Sequence, residues 1–576
     1  MMSSPSPVRR PSLLPVLLPL TLLVLGLLLY PHLGAHFGTE FGPHLSLQAA
    51  ELEGVGLISS LGSLSLGAQA ATVDLAAVRE YRKRHAAKIL RDFSALLEIP
   101  NVASDGPNIR RNAEVLVEKL AARDIDARLL TLPDTPEAPP IVYGRLDVPG
   151  ATRTLGLYLH YDGQPVDPEE WTWDPWTPIL TTASLEDGGV QRPLPEIGEE
   201  VDPEWRIYAR SAGDDKDPVP ALLTALDALK EQGKSPTSNL VFFFEGEEEV
   251  GSPHLDRYLE KYRELVSVDG WLIFDGPVHP SGRPVLVFGV RGYSGLELTV
   301  YGADRYLHSG HYGNWAPNPG QRLARLLASL KDDQGQVLVE GFYDSTAPIT
   351  EADRAGLATL PDYDSDLRRE LGLAPGATEG QGVSLAERLM IPSLNLRGLE
   401  SAEVGDRARN VIPTEAVASI DIRLAQGNDP NAMLDLVEAH IAGQGYHIVR
   451  EDPDEATRLA HPLVVKSRRQ PGYPAQRTSM DLPLVRQVIA ATRQAANGHP
   501  LGAGGEGEGK AQDLILQPTY GGSLPLYLFA DNPDLPVVIV PIANHDNNQH
   551  APDENMRMAN LFYGIDLMAA LLTLSP

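Results

Sequence analysis

The 576-residue chain contains no cysteine. That excludes disulfides, thiolate metal sites and a cysteine nucleophile, together with any anchor acylated on cysteine. Positive charge is also scarce: 48 Lys and Arg stand against 77 Asp and Glu, a net charge of −29. Nothing in such a chain would neutralise phosphates, which argues against nucleic acid as a partner. Bound cations would cancel part of the acid excess. The hydrophobic and charged fractions, 43% and 22%, are those of an ordinary folded enzyme. The length calls for two globular domains plus extras.

Long uncharged runs are rare, and one near the N-terminus stands out. Arg9 and Arg10 precede LLPVLLPLTLLVLGLLLY, Leu13 to Tyr30, whose length sits at the lower bound for a membrane span. The nearest small-x-small site, Ala68-Gln69-Ala70, lies too far downstream for the usual cleavage geometry. The expectation is an uncleaved signal-anchor in preference to a cleaved signal peptide over residues 1–30. The body would then be exported to the periplasmic or extracytoplasmic face and anchored to the inner membrane by residues 13–30. Residues 31–72, rich in Gly, Ser and Leu, read as a linker.

What the chain does have is a concentration of acid at strand ends. VFFFEGEEEVGS, Val241 to Ser252, runs four apolar β-formers into a turn bearing Glu245, Glu247, Glu248 and Glu249. A continuous apolar run bounded by Gly reads as a buried parallel strand. Carboxylates at its C-terminal end lie where open α/β sheets place active sites. They repel one another, so a cation or a shared proton must hold them together. LGLYLHYDG, residues 155–163, ends in His160 and Asp162, two apart and therefore on one side of a strand. WRIYAR, residues 205–210, leads to the acidic pair Asp214-Asp215, where one carboxylate could bridge two cations or merely cap the helix that follows. VDGWLIFDG, residues 268–276, ends in Asp275. Four strand-like segments, each ending in or leading to a potential ligand, give the pattern of an α/β domain. A cluster of carboxylates and His without Cys favours zinc, with manganese or cobalt as substitutes.

From about Arg291 the texture becomes α+β. GYSGLELTVYG alternates like a half-exposed strand, a His-bearing loop containing His308 follows, and RNVIPTEAVASIDIRL supplies two more strands. Helical spacing returns near Met480. GGEGEGKA, Gly504 to Ala511, nearly matches a phosphate loop. It fails because no strand leads in, Ala511 replaces the hydroxyl residue, and two Glu would repel phosphate. HAPDEN, residues 550–555, brings a late His that could join the first domain only if that domain closes around an insertion.

In order along residues 76–576 these segments resemble the di-zinc exopeptidases of the carnosinase, carboxypeptidase-G and aminoacylase type, metallopeptidase family twenty. HYD, SAGDDK, EGEEEVGS, FDG, LHSGHYG, NVIP, IRL, GGS and HAPDEN carry the resemblance, which is nearest to the carnosinase-like dipeptidases. It implies an α/β catalytic domain with a mostly parallel sheet (73–289 and 468–576) and an inserted α+β lid and dimerisation domain (290–467). It implies that Asp214 bridges two Zn2+, with His160 and Asp275 on one ion and Glu249 and His550 on the other. On chemistry alone His545 could serve as well as His550; the HAPDEN match selects His550. Asp162 would orient His160, Glu248 would be the general base, and His308 would steady the oxyanion, often across a dimer interface. Asn410, Arg423 and Ser523 would hold the substrate's terminal carboxylate. Two departures are Asp217, where the family usually has Gly, and Asn410, which replaces a Thr of some carnosinases. The implied activity is hydrolysis of dipeptides or short peptides in a homodimer. The competing readings are an N-acyl-amino-acid amidohydrolase using the same site and a catalytically inactive binding homologue.

Overall fold

The computed structural model describes residues 73–380, 382–499, 514–522, 524–530 and 535–575, with Pro471 described in its backbone only. The expected anchor at 13–30, the linker at 31–72, the Gly504–Ala511 loop and Ser523 lie outside the described residues. Among the described residues no helix is long and apolar enough to cross a membrane.

The first helix, α1 (Leu75–Leu97), starts where Asp74 accepts the Ala77 amide. The second, α2 (Gly106–Ala121), begins well before Asn112, where apolar spacing alone would start it. Asp105 caps it and Pro107 occupies its first turn, both signals of a helix start. Strands β1 (Asp126–Leu130), β2 (Ile141–Leu146) and β3 (Thr154–His160) follow. Next come α3 (Pro218–Glu231), β4 (Asn239–Glu245), β5 (Gly270–Ile273) and β6 (Val285–Val287). The chain then builds a second unit from β7 (Gly292–Tyr301), α4 (Pro319–Ala328), β8 (Ser393–Glu400) and β9 (Glu415–Leu424). That unit continues with α5 (Pro430–Gly443), β10 (His447–Val449) and β11 (Val464–Tyr473). It returns through α6 (Pro483–Ala496), β12 (Ile515–Gln517), β13 (Val537–Ile539) and α7 (Met558–Leu572).

The first unit is an eight-stranded sheet in the order β1-β2-β4-β3-β5-β13-β6-β12. Its centre, β4-β3-β5-β13, is parallel. The central strands are apolar on both faces because both faces are covered. Leu240, Phe242 and Phe244 of β4 enter the core shared with α1, α3, α6 and α7, while Val241 and Phe243 enter the opposite cluster beside Trp271 and Phe529. Every residue of α7 is buried, consistent with its uninterrupted apolar sequence. The second unit is a five-stranded sheet, β8-β9-β7-β11-β10, antiparallel except for β10 with β11. One face packs on α4 and α5. This is the α/β core with a smaller α+β unit that the sequence led us to expect, although β11 continues past residue 467 to Tyr473.

One strand departs from expectation. Arg206–Tyr208 is not in the main sheet. It lies in a separate antiparallel sheet between Ile179–Thr181 and Asn555–Arg557. Pairing with Asn555–Arg557 draws the end of the chain against the segment that leads into Asp214.

In the main sheet Gly156 is paired in register with Trp271, whose indole occupies the space where a side chain at 156 would go. A Cβ at Gly156 would lie 2.2 Å from Trp271 Cε3. Gly156→Ala is therefore expected to destabilise the fold by about 1–3 kcal/mol, the usual cost of overpacking. A lowered thermal unfolding midpoint checks this, and an unchanged midpoint would refute it.

Candidate dinuclear metal centre

The centre assembles at the C-terminal ends of β3, β4 and β5, with the turn before α3 and the segment before α7 closing it. His160, the last residue of β3, is fully buried. Its Nε2 lies 3.0 Å from Asp214 Oδ1 and 4.0 Å from both Asp275 Oδ2 and Glu248 Oε2. On the ring's other side Nδ1 is 3.4 Å from Asp162 Oδ1. The second histidine, His550, places Nε2 3.0 Å from Asp214 Oδ2 and 3.2 Å from Glu249 Oε2. Two groups of potential ligands result, His160-Asp214-Asp275 and Asp214-Glu249-His550, joined through Asp214.

The supporting bonds explain why these groups stay in place. The Asp162 carboxylate accepts the backbone N–H of Glu248 at Oδ1 and of Glu249 at Oδ2, both at 3.1 Å. It therefore anchors the acidic turn as well as facing His160. Gln164 donates to Glu249 at 2.8 Å and Gln549 to Asp214 at 2.6 Å. Glu247 pairs with His254 at 2.9 Å and Glu245 accepts the Tyr158 hydroxyl at 2.7 Å, so neither is spare for a metal. Glu554, which sequence reasoning gave no role, is fully buried. It accepts the amides of Ser211, Gly213 and Asp214 and the Arg210 guanidinium, all at 2.7–3.0 Å. One carboxylate thus shapes the whole SAGD turn. Its signal in the sequence was only a Glu inside HAPDEN, indistinguishable there from a surface acid.

Burial opposes ionisation of Asp214, but hydrogen bonds to His160 and His550 outweigh it and hold the carboxyl below the usual range. Hydrogen bonds to Asp214 and Glu249 push His550 up to about 10. Burial pushes Asp275 up to about 7, with the Asp214 and Glu249 charges adding to the effect. It also drives Glu248 and Asp215 well above ordinary carboxylates. So much like charge in a dry pocket is stable only with protons or cations to offset it. Two imidazoles and three carboxylates, all nitrogen or oxygen donors and sharing one bridging acid, fit a pair of divalent transition metals.

Of the remaining expected residues, His308 and Asn410 come together: His308 pairs with Val411 and the Ser309 amide bonds the Asn410 carbonyl at 3.0 Å. His308 and Asn410 are exposed, and among the described residues no hydrogen bond or ion pair joins them to the acid cluster. Arg423 lies on β9 beside Tyr293, its guanidinium 5.6 Å from that ring and 3.4 Å from Asp421.

A model of peptidase family M20/M25/M40 matches residues 156–574. The chain belongs to this family. It is accordingly a metal-dependent hydrolase. The Cys-Gly metallodipeptidase of Candida albicans is 30% identical over 62% of this chain and 73% of its own. Human Beta-Ala-His dipeptidase is 27% identical over 79% of this chain and 82% of its own. Among solved structures, an M20 family metallo-carboxypeptidase from Sulfolobus solfataricus is 26% identical, with a TM-score of 0.63, over 84% of this chain and 99% of its own. A di-peptidase from Saccharomyces cerevisiae, 23% identical with a TM-score of 0.59 over 87% of this chain and 98% of its own, shares the fold.

These findings correct one expectation. Export and inner-membrane anchoring rested on the apolar run at 13–30 alone. Three of the matching relatives are fungal metallodipeptidases aligned over 71–93% of their own length, and no described helix is long and apolar enough to cross a membrane. Export and anchoring are not supported.

Asp217, the departure noted in the sequence, is buried, and neither carboxyl oxygen has a hydrogen-bond partner. It caps α3 without a side-chain bond. Burial, with Asp214 and Glu554 nearby, raises its pKa well above normal. A carboxyl harder to ionise folded than unfolded costs stability once pH exceeds its unfolded pKa. After chelation, Asp217→Asn is expected to unfold at higher temperature than the parent at pH 7, by the equivalent of about 1–3 kcal/mol. The gain should disappear as pH falls toward 4. An equal midpoint at both pH values would show that Asp217 is not an unpaired buried acid.

Proposed function

We propose that the protein is an exopeptidase cleaving dipeptides or short peptides, with two Zn2+ per chain and Mn2+ or Co2+ accepted in their place. The observation that carries this is the pair of ligand triads sharing Asp214, with Glu248 beside them; that several relatives are named dipeptidases supports the substrate class. His160 and Asp275 would hold one ion, Glu249 and His550 the other, and Asp214 both. When bound, such a pair supplies Lewis acidity toward the scissile carbonyl and lowers the pKa of a nearby water.

The protein's own groups do the rest. Glu248, held in a dry environment that raises its proton affinity, takes a proton from the attacking water and delivers it to the leaving amine. Asp162 fixes the imidazole of His160 and the backbone of Glu248 and Glu249 together, so the base keeps its position relative to the ligands. Arg423 reads the substrate's free carboxylate, for which a guanidinium is the natural bidentate partner, with Asn410 and Ser523 assisting. His308 steadies the oxyanion. Because His308 is exposed and unbonded to the acid cluster, it would reach the substrate by movement of residues 290–467 as a lid or from the partner of a homodimer formed through that lid.

The test pairs metal counting with turnover of a dipeptide panel and of N-acyl amino acids. Two metals per chain and dipeptide hydrolysis are expected. Glu248→Ala should retain its metal and lose about 10²- to 10⁴-fold in kcat. Removal of metal with a chelator should abolish turnover, and added Zn2+ should restore it. Arg423→Ala should raise KM for free dipeptides and leave their C-terminal amides unaffected. Turnover of N-acyl amino acids alone would replace the dipeptidase reading by an amidohydrolase. Absence of both metal and turnover would overturn the proposal.

A further inference from the structure

A second site of a different character lies in the α+β unit. Tyr301 at the end of β7, Leu307, Trp315, Arg322 of α4, Arg458 and His461 surround a cavity of about 370 Å3. That volume is at the small end for organic ligands, about 300–1,000 Å3. No Asp or Glu is among its lining residues, although the chain carries a net charge of −29. Among the described residues neither arginine is in an ion pair, although Asp452, which accepts the Tyr301 hydroxyl at 2.6 Å, lies near enough to Arg458 for the two charges to interact. Arg458 donates to the backbone carbonyls of Pro453 and Gly302, both at 3.3 Å, and lies 4.7 Å from the centre of the Tyr301 ring. Among the described residues the Arg322 guanidinium has no hydrogen bond and no ion pair, and burial lowers its pKa. A half-desolvated guanidinium without a counter-charge attracts an anion more strongly than one in water. His461 is held by stacking on His447, ring centres 3.6 Å apart and planes 1° from parallel. Trp315 is 81% exposed at the rim, a large apolar face that the Tyr312 ring flanks at 6.2 Å between ring centres.

We propose that this cavity binds a small aromatic carboxylate. Arg322 and Arg458 receive the carboxylate, a geometry guanidinium groups match bidentately, and the ligand's ring lies against the Trp315 indole. Leu307 lines the cavity and immediately precedes His308, so the occupied cavity holds the segment that carries His308.

Phenylacetate titrated into the metal-loaded full-length protein by calorimetry tests this, with phenylacetamide as the uncharged control. Saturable binding of phenylacetate and none of phenylacetamide are expected. Arg322→Met should weaken binding at least tenfold while Arg322→Lys retains part of it, and Trp315→Ala should weaken it separately. Because the Arg322 guanidinium makes no hydrogen bond or ion pair among the described residues, Arg322→Met is not expected to disturb folding, which an unchanged unfolding midpoint verifies. Phenylacetate is further expected to change KM for dipeptides more than kcat; this arm rests on the role proposed for His308, whereas the binding arms do not. Unchanged affinity in Arg322→Met would place the carboxylate at the metals and overturn the proposal. So would a dimer that binds no phenylacetate, which would mean that a second copy fills the cavity.

Discussion

The structure around the centre depends on one electrostatic constraint: several carboxylates, most of them buried, are packed together with two imidazoles, His160 buried and His550 about half exposed. Asp214, Asp215, Asp275, Glu248 and Glu249 could not remain ionised together there without cations. The scaffold does not relieve the repulsion; it holds the groups against it. Three parallel strand ends fix His160, the acidic turn and Asp275. A buried Glu554, bonded to three successive-turn amides and Arg210, fixes the loop that presents Asp214. The energy of that packing is returned when divalent ions bind, so affinity for metal and precision of geometry have the same origin.

The division of labour within the acidic turn follows from hydrogen bonding. Of four neighbouring glutamates, Glu245 is engaged by Tyr158 and Glu247 by His254. Glu249 faces His550 and Gln164. Of the four, only the Glu248 carboxylate has no hydrogen bond among the described residues, and it lies 4.0 Å from His160. Side chains identical in sequence thus acquire separate roles from what stands opposite them.

Much of this was legible in the residues. The apolar run ending in EGEEE announces a buried parallel strand with acid at its tip, and β4 is that strand. HYD predicted a histidine and a carboxylate on one side, and Asp162 does face His160. Other features were not legible because they depend on long-range pairing. Nothing local distinguishes WRIYAR as a strand of a separate sheet; it pairs with Ile179–Thr181 on one side and with Asn555–Arg557, far along the chain, on the other. The burial of Asp217 and the function of Glu554 were hidden for the same reason, since burial is a property of the assembled layers. The start of α2 was readable from Asp105 and Pro107, had capping been weighed above apolar spacing.

The pairing of Arg206–Tyr208 with Asn555–Arg557 has a consequence for how the enzyme matures. A chain emerging from the ribosome has His160, Asp214 and Asp275 in hand soon after β5 is made, and those three alone could compose one half-site. His550 arrives only after the whole α+β unit and strands β12 and β13 have followed. The two halves of the centre therefore become available at different moments in the life of the molecule, and a fragment truncated before His550 would carry the beginnings of a metal site without the means to complete it.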